Sequence, residues 1–293
     1  MNRLHPWAIL VATCAVGVAC LTSELAAQPG GDRTPRGDSL RRAQRLDVDG
    51  KHAEARAIFQ KLIDNAPDAA ARAAALRRMA MSHAFEGHCS ETVRYEEMVI
   101  DYWKTREKEE PQNAFYQEGE MANEAARICI DAGDLATAER MYRRGSELGN
   151  KEPAPRTHPQ SLWDYRLAHA LARIAARKGD KAEAQRQVAA ARKALDSDPT
   201  MAANQERFFP YLTGYVALYT NDLKTAESEL TKALSMQGNS NDPFMNTLMG
   251  MVHEKMGHAD VAKEWYQKAY DLATQHNPPS AFARPFTRAK LGR

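Results

Sequence analysis

The chain of 293 residues carries 40 Lys and Arg against 38 Asp and Glu, a formal net charge of +2, so it presents no strong field to a nucleic acid or an acidic polymer. Its 43 % hydrophobic and 27 % charged composition is that of a globular protein long enough for one or two cores, which excludes a disordered chain and a multi-span membrane protein.

Arg3 and His5 precede an apolar run from Trp7 to Leu21, and small residues close the following polar stretch at Ala26 and Ala27. This pattern reads as a secretory signal peptide over residues 1–27, its apolar run being short of the roughly 20 residues a spanning helix needs. Acylation of Cys20 as a lipoprotein anchor is the competing reading, although Gly17 stands where such signals usually carry a branched residue. Residues 28–37, with Pro29, Gly30, Gly31, Pro35 and Gly37, read as a flexible linker. The expected destination is the periplasm or the exterior, with no integral membrane span left after cleavage. Cys14 and Cys20 fall in the leader, so the exported chain keeps Cys89 and Cys129. These either form one disulfide in an oxidising compartment or remain two buried thiols.

From Gly50 onward a pattern recurs. It begins at Gly50, Gly133, Gly179, Asn221 and Gly257, with a weaker copy at Gly87, giving intervals of 37, 46, 46, 42 and 36 residues. Gly or Asn at each anchor suits a chain that leaves one helix through a left-handed turn and enters another. Seven residues before the anchors stand Ala43, Ala80, Ala126, Ala172, Gly214 and Gly250; five after them stand Ala55, Thr92, Ala138, Ala184, Ala226 and Ala262. Small residues at both positions let two helices approach closely, while Phe59, Tyr142, Val188, Leu230 and Tyr266 fill the space beside them. Glu96 stands at that large apolar position in the second unit. Six helix–turn–helix units follow, an all-α fold. The extra length of the middle units is expected in residues 101–117 and in the Pro-rich stretch 152–159.

The anchor, the alanines and the large residue together resemble the tetratricopeptide repeat family, over about residues 38–272. The resemblance implies an α-solenoid coiled into a right-handed superhelix that binds a protein or peptide in its concave groove. It also implies which residues face that groove, since the first helix of each unit lines it and offsets 0, 3, 7 and 11 share one helix face. In the fourth unit these are Arg166, His169, Arg173 and Arg177; in the fifth Phe208, Tyr211, Tyr215 and Tyr219; in the sixth Phe244, Thr247, Met251 and Lys255. A cationic stripe beside an aromatic one suits a partner with acidic and apolar anchors. A solvated face for the basic stripe, and a face packed under the neighbouring unit for the aromatic one, would explain the same residues.

The tail, residues 273–293, holds Arg284, Arg288, Lys290 and Arg293 and no acidic residue, and is expected to cap the solenoid or fold back into it. His253 and His258 imitate a zinc-protease motif, but they are five residues apart with Gly257 between them, where that motif needs four on one continuous helix face. The second unit has His83 and His88 at the same phase, so the pair belongs to the repeat, and no metal site is expected. No motif calls for a cofactor, and none marks a catalytic residue. The expected function is a non-enzymatic protein-interaction scaffold of the cell envelope that does not bind nucleic acid. The alternatives are an enzyme or small-molecule binder with a pocket in residues 99–165, drawing on Trp103, Tyr116, His158, Trp163 and Asp164, and self-association through the repeats.

Overall fold

The computed structural model describes residues 34–293; the readings of a signal peptide, of acylation at Cys20 and of most of the linker lie outside the described residues. The helices are α1 (Pro35–Val48), α2 (His52–Asp64), α3 (Ala69–Ala84), α4 (Cys89–Lys104), α5 (Pro111–Ala132), α6 (Leu135–Gly149) and α7 (Gln160–Arg177) in the first half. Then come α8 (Lys181–Ser197), α9 (Pro199–Gln205), α10 (Phe209–Tyr219), α11 (Leu223–Ser235), α12 (Pro243–Lys255), α13 (Ala259–Leu272) and α14 (Pro278–Lys290). No strand occurs among the described residues. Each helix packs on its sequence neighbours, so the chain is an all-α solenoid of six helix pairs, α1–α2, α3–α4, α5–α6, α7–α8, α10–α11 and α12–α13.

The turns explain the pairs. All six anchors occupy the left-handed region, from Gly87 at φ 69° to Gly133 at φ 87°, and Asn221 does so at φ 66°. After three of them an aspartate, Asp134, Asp180 or Asp222, accepts a hydrogen bond from the backbone N–H three residues on and caps the second helix. Ala43, Ala80, Ala126 and Ala172 are fully buried opposite their partner helices. At Gly214 a Cβ would stand 2.8 Å from Leu230 Cγ, and at Gly250 2.4 Å from Tyr266 Cε1, so glycine there admits the large side chain of the second helix.

Glu96 shows what the phase tolerates. It is 0 % exposed, both its oxygens lack a hydrogen-bond partner within the chain, and burial, reinforced by Glu124 and opposed by Arg77 and Arg78, pushes its carboxyl well above the usual range. Burial thus favours the uncharged form of the acid at this position.

The added length goes into one long helix and into the connections between pairs. α5 is extended to 22 residues, and residues 150–159 form a loop in which the Glu152 carboxylate accepts hydrogen bonds from the Thr157 and His158 N–H groups and pairs with His158 Nδ1 at 3.0 Å. α9 and a 3-10 turn at Glu206–Phe208 lengthen the approach to α10. α1 begins at Pro35, capped by Thr34, within the segment expected as linker. Residues 278–290 form α14, which lies against α12 and α13 on one side and α1, α3 and α5 on the other, bridging the two ends of the solenoid.

Cys89 opens α4, Cys129 sits near the end of α5, and the two are bonded with their Cα atoms 4.8 Å apart, tying the second unit to the third. Loop-closure entropy for a sequence separation of 40 is worth about 3–4 kcal/mol. Reduction should therefore lower the unfolding free energy by about that amount in a urea titration. At the helix seam, Ala184→Leu should cost about 1–3 kcal/mol in the same assay, with helicity by circular dichroism retained.

Candidate interaction surface

The first helices of the fourth and fifth units, α7 and α10, pack against each other, so their facing sides meet. The stripe residues of α7 and α10 do so directly. Arg173, only 3 % exposed, donates from Nη1 to the Tyr211 hydroxyl at 3.1 Å and from Nη2 to the Tyr142 hydroxyl at 2.8 Å. Its guanidinium also lies 5.8 Å from the Tyr215 ring centre. Arg177 donates to the hydroxyls of Tyr215 and Tyr219, both at 3.5 Å, and sits 4.8 Å over the Tyr219 ring. The cationic and aromatic stripes thus satisfy each other, through charge-assisted hydrogen bonds and cation–π contacts.

The remaining positions surround this layer. His169 is buried between Tyr165 and Tyr211, with ring centres 5.7 and 5.3 Å away. Burial, together with Arg173 and Arg127, holds its pKa well below 6.5, so the ring is neutral. Arg166 pairs with Glu120 of α5 and lies over the rings of Trp163 and Tyr116. Phe244 is buried between Tyr211 and Phe282 of α14, at 6.0 and 4.8 Å. Phe208 and Met251 are half-buried beside the same core, and Thr247 is buried with its hydroxyl donating to the Pro243 carbonyl. Tyr215 is buried completely; Arg177 and Tyr219 remain partly open to solvent.

Two residues outside the candidate stripes shape the electrostatics. Arg127, on α5, is half-buried and acts on Asp131, His169, Tyr211 and Asp242. Asp131, one turn further along α5, has a buried Oδ2 without a partner in the chain. Burial pushes its carboxyl up to about 7, against the pull of Arg173, Arg127 and Arg177. Both stand at the groove offsets of the third unit, where the sequence places the mixed set Glu120, Asn123, Arg127 and Asp131 rather than a stripe of one character. The facing sides of α5, α7 and α10 therefore form a largely buried arginine–tyrosine layer beside an acid whose pKa is pushed up to about 7.

The middle segment packs on itself. Trp163 is fully buried where Gly119 and Gly149 leave room for its ring; a Cβ at either glycine would fall within 2.4 Å of it. Tyr116 stacks on His158 with ring centres 3.9 Å apart, Trp103 packs against the first core, and Asp164 is exposed. His253 and His258 flank a left-handed Gly257 with ring centres 5.8 Å apart, and His83 and His88 repeat that arrangement at 5.9 Å. No helix among the described residues is long and apolar enough to cross a membrane.

A folded-state pKa raised to about 7 contributes stability that is complete below the ordinary value of 3.8 and is lost as pH rises through 7. Asp131→Asn should remove this dependence, so its stability relative to wild type should rise between about pH 5 and about pH 8 in denaturant titrations.

Residues 245–276 match the tetratricopeptide repeat family. No curated protein matches the chain. The matched stretch runs from α12 through α13 to His276, the sixth unit, and the other five units share its left-handed turn and buried small residues. The chain is thus similar to tetratricopeptide repeat proteins in its matched unit and in its helical-repeat architecture, which supports a place in that family.

Proposed function

We propose that the chain is a non-enzymatic scaffold, exported to the cell envelope, that binds a protein or peptide on the inner side of its solenoid. The observation that carries this reading is the unbroken helical repeat, which occupies the described chain from α1 to α13 and leaves the irregular segments packed as structural filler. Helical repeats of this kind build extended binding surfaces from rigid neighbours. The partner meets the accessible edge of the arginine–tyrosine layer, Arg177, Tyr219, Arg127 and Asp131, while Arg173 and Tyr215 behind it hold those side chains in place. An acidic residue beside an apolar one on the partner matches this edge. The leader-like sequence before residue 28 supports export, and the Cys89–Cys129 bond suits an oxidising compartment.

Crosslinking and mass spectrometry of the envelope-expressed chain, beside an Arg177→Glu/Tyr219→Ala double variant, tests the reading. A protein captured by wild type should fall at least about tenfold in the variant, the loss of about 1.4 kcal/mol, with helicity unchanged. Equal recovery would move the interface off the inner side, and capture of no protein at all would overturn the scaffold reading.

A further inference from the structure

α14 touches the two ends of the solenoid with different chemistry. Toward the last unit it is aromatic: Phe282 packs on Phe244 with ring centres 4.8 Å apart, Phe286 on Tyr266 at 5.9 Å, and Arg284 lies 3.7 Å over the Tyr270 ring while donating to the Tyr270 carbonyl. Toward the first units it offers Ala281, against Val48, Met81, Ala84, Phe85 and Ile128, and otherwise polar contacts. Arg284 and Arg288 both donate to the Val48 carbonyl, at 3.1 and 3.3 Å.

The centre of that polar seam is Asp47. It is 1 % exposed and bonds three groups: the Ser82 hydroxyl at 2.8 Å, His52 Nδ1 at 3.0 Å and Nε2 of His276, just before α14, at 2.8 Å. With its proton on Nε2, neutral His276 donates to Asp47. Its other nitrogen, Nδ1, is buried without a partner, and the ring packs between Phe59 and Phe85, with both ring centres 5.5 Å away. A second proton on His276 would therefore place an N–H group in an apolar pocket with no acceptor, a cost water removes once the seam parts.

We infer that the seam is an acid-opened joint: protonation of His276 parts α14 from α1 and α3, while α14 stays docked on α12 and α13. The charges acting on the ring are Asp47 on α1, Arg78 on α3 and Glu124 on α5; His52 on α2 shares Asp47, and Arg284 and Arg288 on α14 stand at the neighbouring Val48 carbonyl. Arg78, which donates to the His276 carbonyl at 3.4 Å, opposes a second positive charge; Asp47 and Glu124 favour it. Burial outweighs them and holds the His276 pKa below 6.5.

The sign follows. A depressed pKa gives the closed seam stability that is complete above 6.5 and lost as pH falls through the folded value. Burial raises the Asp47 carboxyl, but hydrogen bonds from His276, His52 and Ser82 hold it below 3.8, so it stays charged throughout this window. Asp131 and Glu118, both near 7, have the opposite sign and favour the folded chain as pH falls. Mild acid is expected to open the joint without unfolding the solenoid.

Hydrogen exchange of the full chain, corrected for intrinsic rates, is compared at about pH 7.5 and about pH 5, with small-angle scattering on the same samples. The amides of α1 and α14 should lose protection at the lower pH while those of α5 and α7 keep it, and the radius of gyration should rise. His276→Gln keeps an N–H donor for Asp47 but cannot become charged, so it should stay closed at both pH values. Ring NMR of His276 in wild type gives a reading that needs no variant: its titration should coincide with the loss of α14 protection. Unchanged seam protection in wild type, titration of His276 with the seam still closed, or equal opening of wild type and His276→Gln on acidification would each overturn the inference.

Discussion

Everything in this molecule hangs on how closely the two helices of one unit approach. A left-handed residue sets the turn, and buried small residues before and after it set the separation. That separation fixes which face of each first helix looks inward, in every unit, whatever the length of the intervening segments. The 46-residue intervals do not disturb it because the surplus is placed in a longer α5 and in the loop of residues 150–159, held by the Glu152 carboxylate. Glu96 is the sharpest test of the constraint. The site is so enclosed that burial pushes the carboxyl group there well above the usual range, favouring its neutral form.

Once the inward faces are fixed, their chemistry must balance locally. Arginines on α7 meet tyrosine hydroxyls from α6 and α10, which supply acceptors and ring faces without adding a second charge. An ion pair in that position would carry a larger desolvation cost. Where ion pairs do form on this side they link neighbouring units at less enclosed positions, as Arg77 does with Glu124 through two hydrogen bonds of 2.8 and 2.9 Å. Asp131 is a carboxylate drawn into the arginine layer without a hydrogen-bond partner for its buried Oδ2, and three nearby guanidinium groups do not overcome its burial.

The repeat and its turns could be read from residue spacing, because each depends on contacts within one unit or with the next. The fates of the stripe residues could not. Whether Arg173 is solvated or buried depends on Tyr142 and Tyr211, more than thirty positions away in either direction, and on the rotation between units. The stripes of α7 and α10 look like two surfaces in sequence and are one interlocked layer in space. The middle segment misleads in a related way. Trp103, Tyr116, His158 and Trp163 have the composition of a pocket, yet Gly119 and Gly149 let Trp163 sink fully into the core and Tyr116 and His158 cover each other. Asp47 and His276 are 229 positions apart, and no local pattern announces their contact.

A solenoid has two ends, and each must be covered if its apolar faces are not to stay exposed. Here one helix serves both. Had α14 presented phenylalanines in both directions, the two ends would be joined by continuous core. Instead its large residues, Phe282 and Phe286, face the last unit, and small or polar residues face the first. The side toward α1 is held by the small apolar contact of Ala281 and by hydrogen bonds centred on the Asp47 carboxylate, the Val48 carbonyl and the His276 carbonyl. Net hydrogen-bond contributions are modest, about 1 kcal/mol each, and depend on protonation, whereas aromatic burial does not. The division of α14 into an aromatic face and a polar one therefore makes one end of the solenoid permanent and leaves the other conditional.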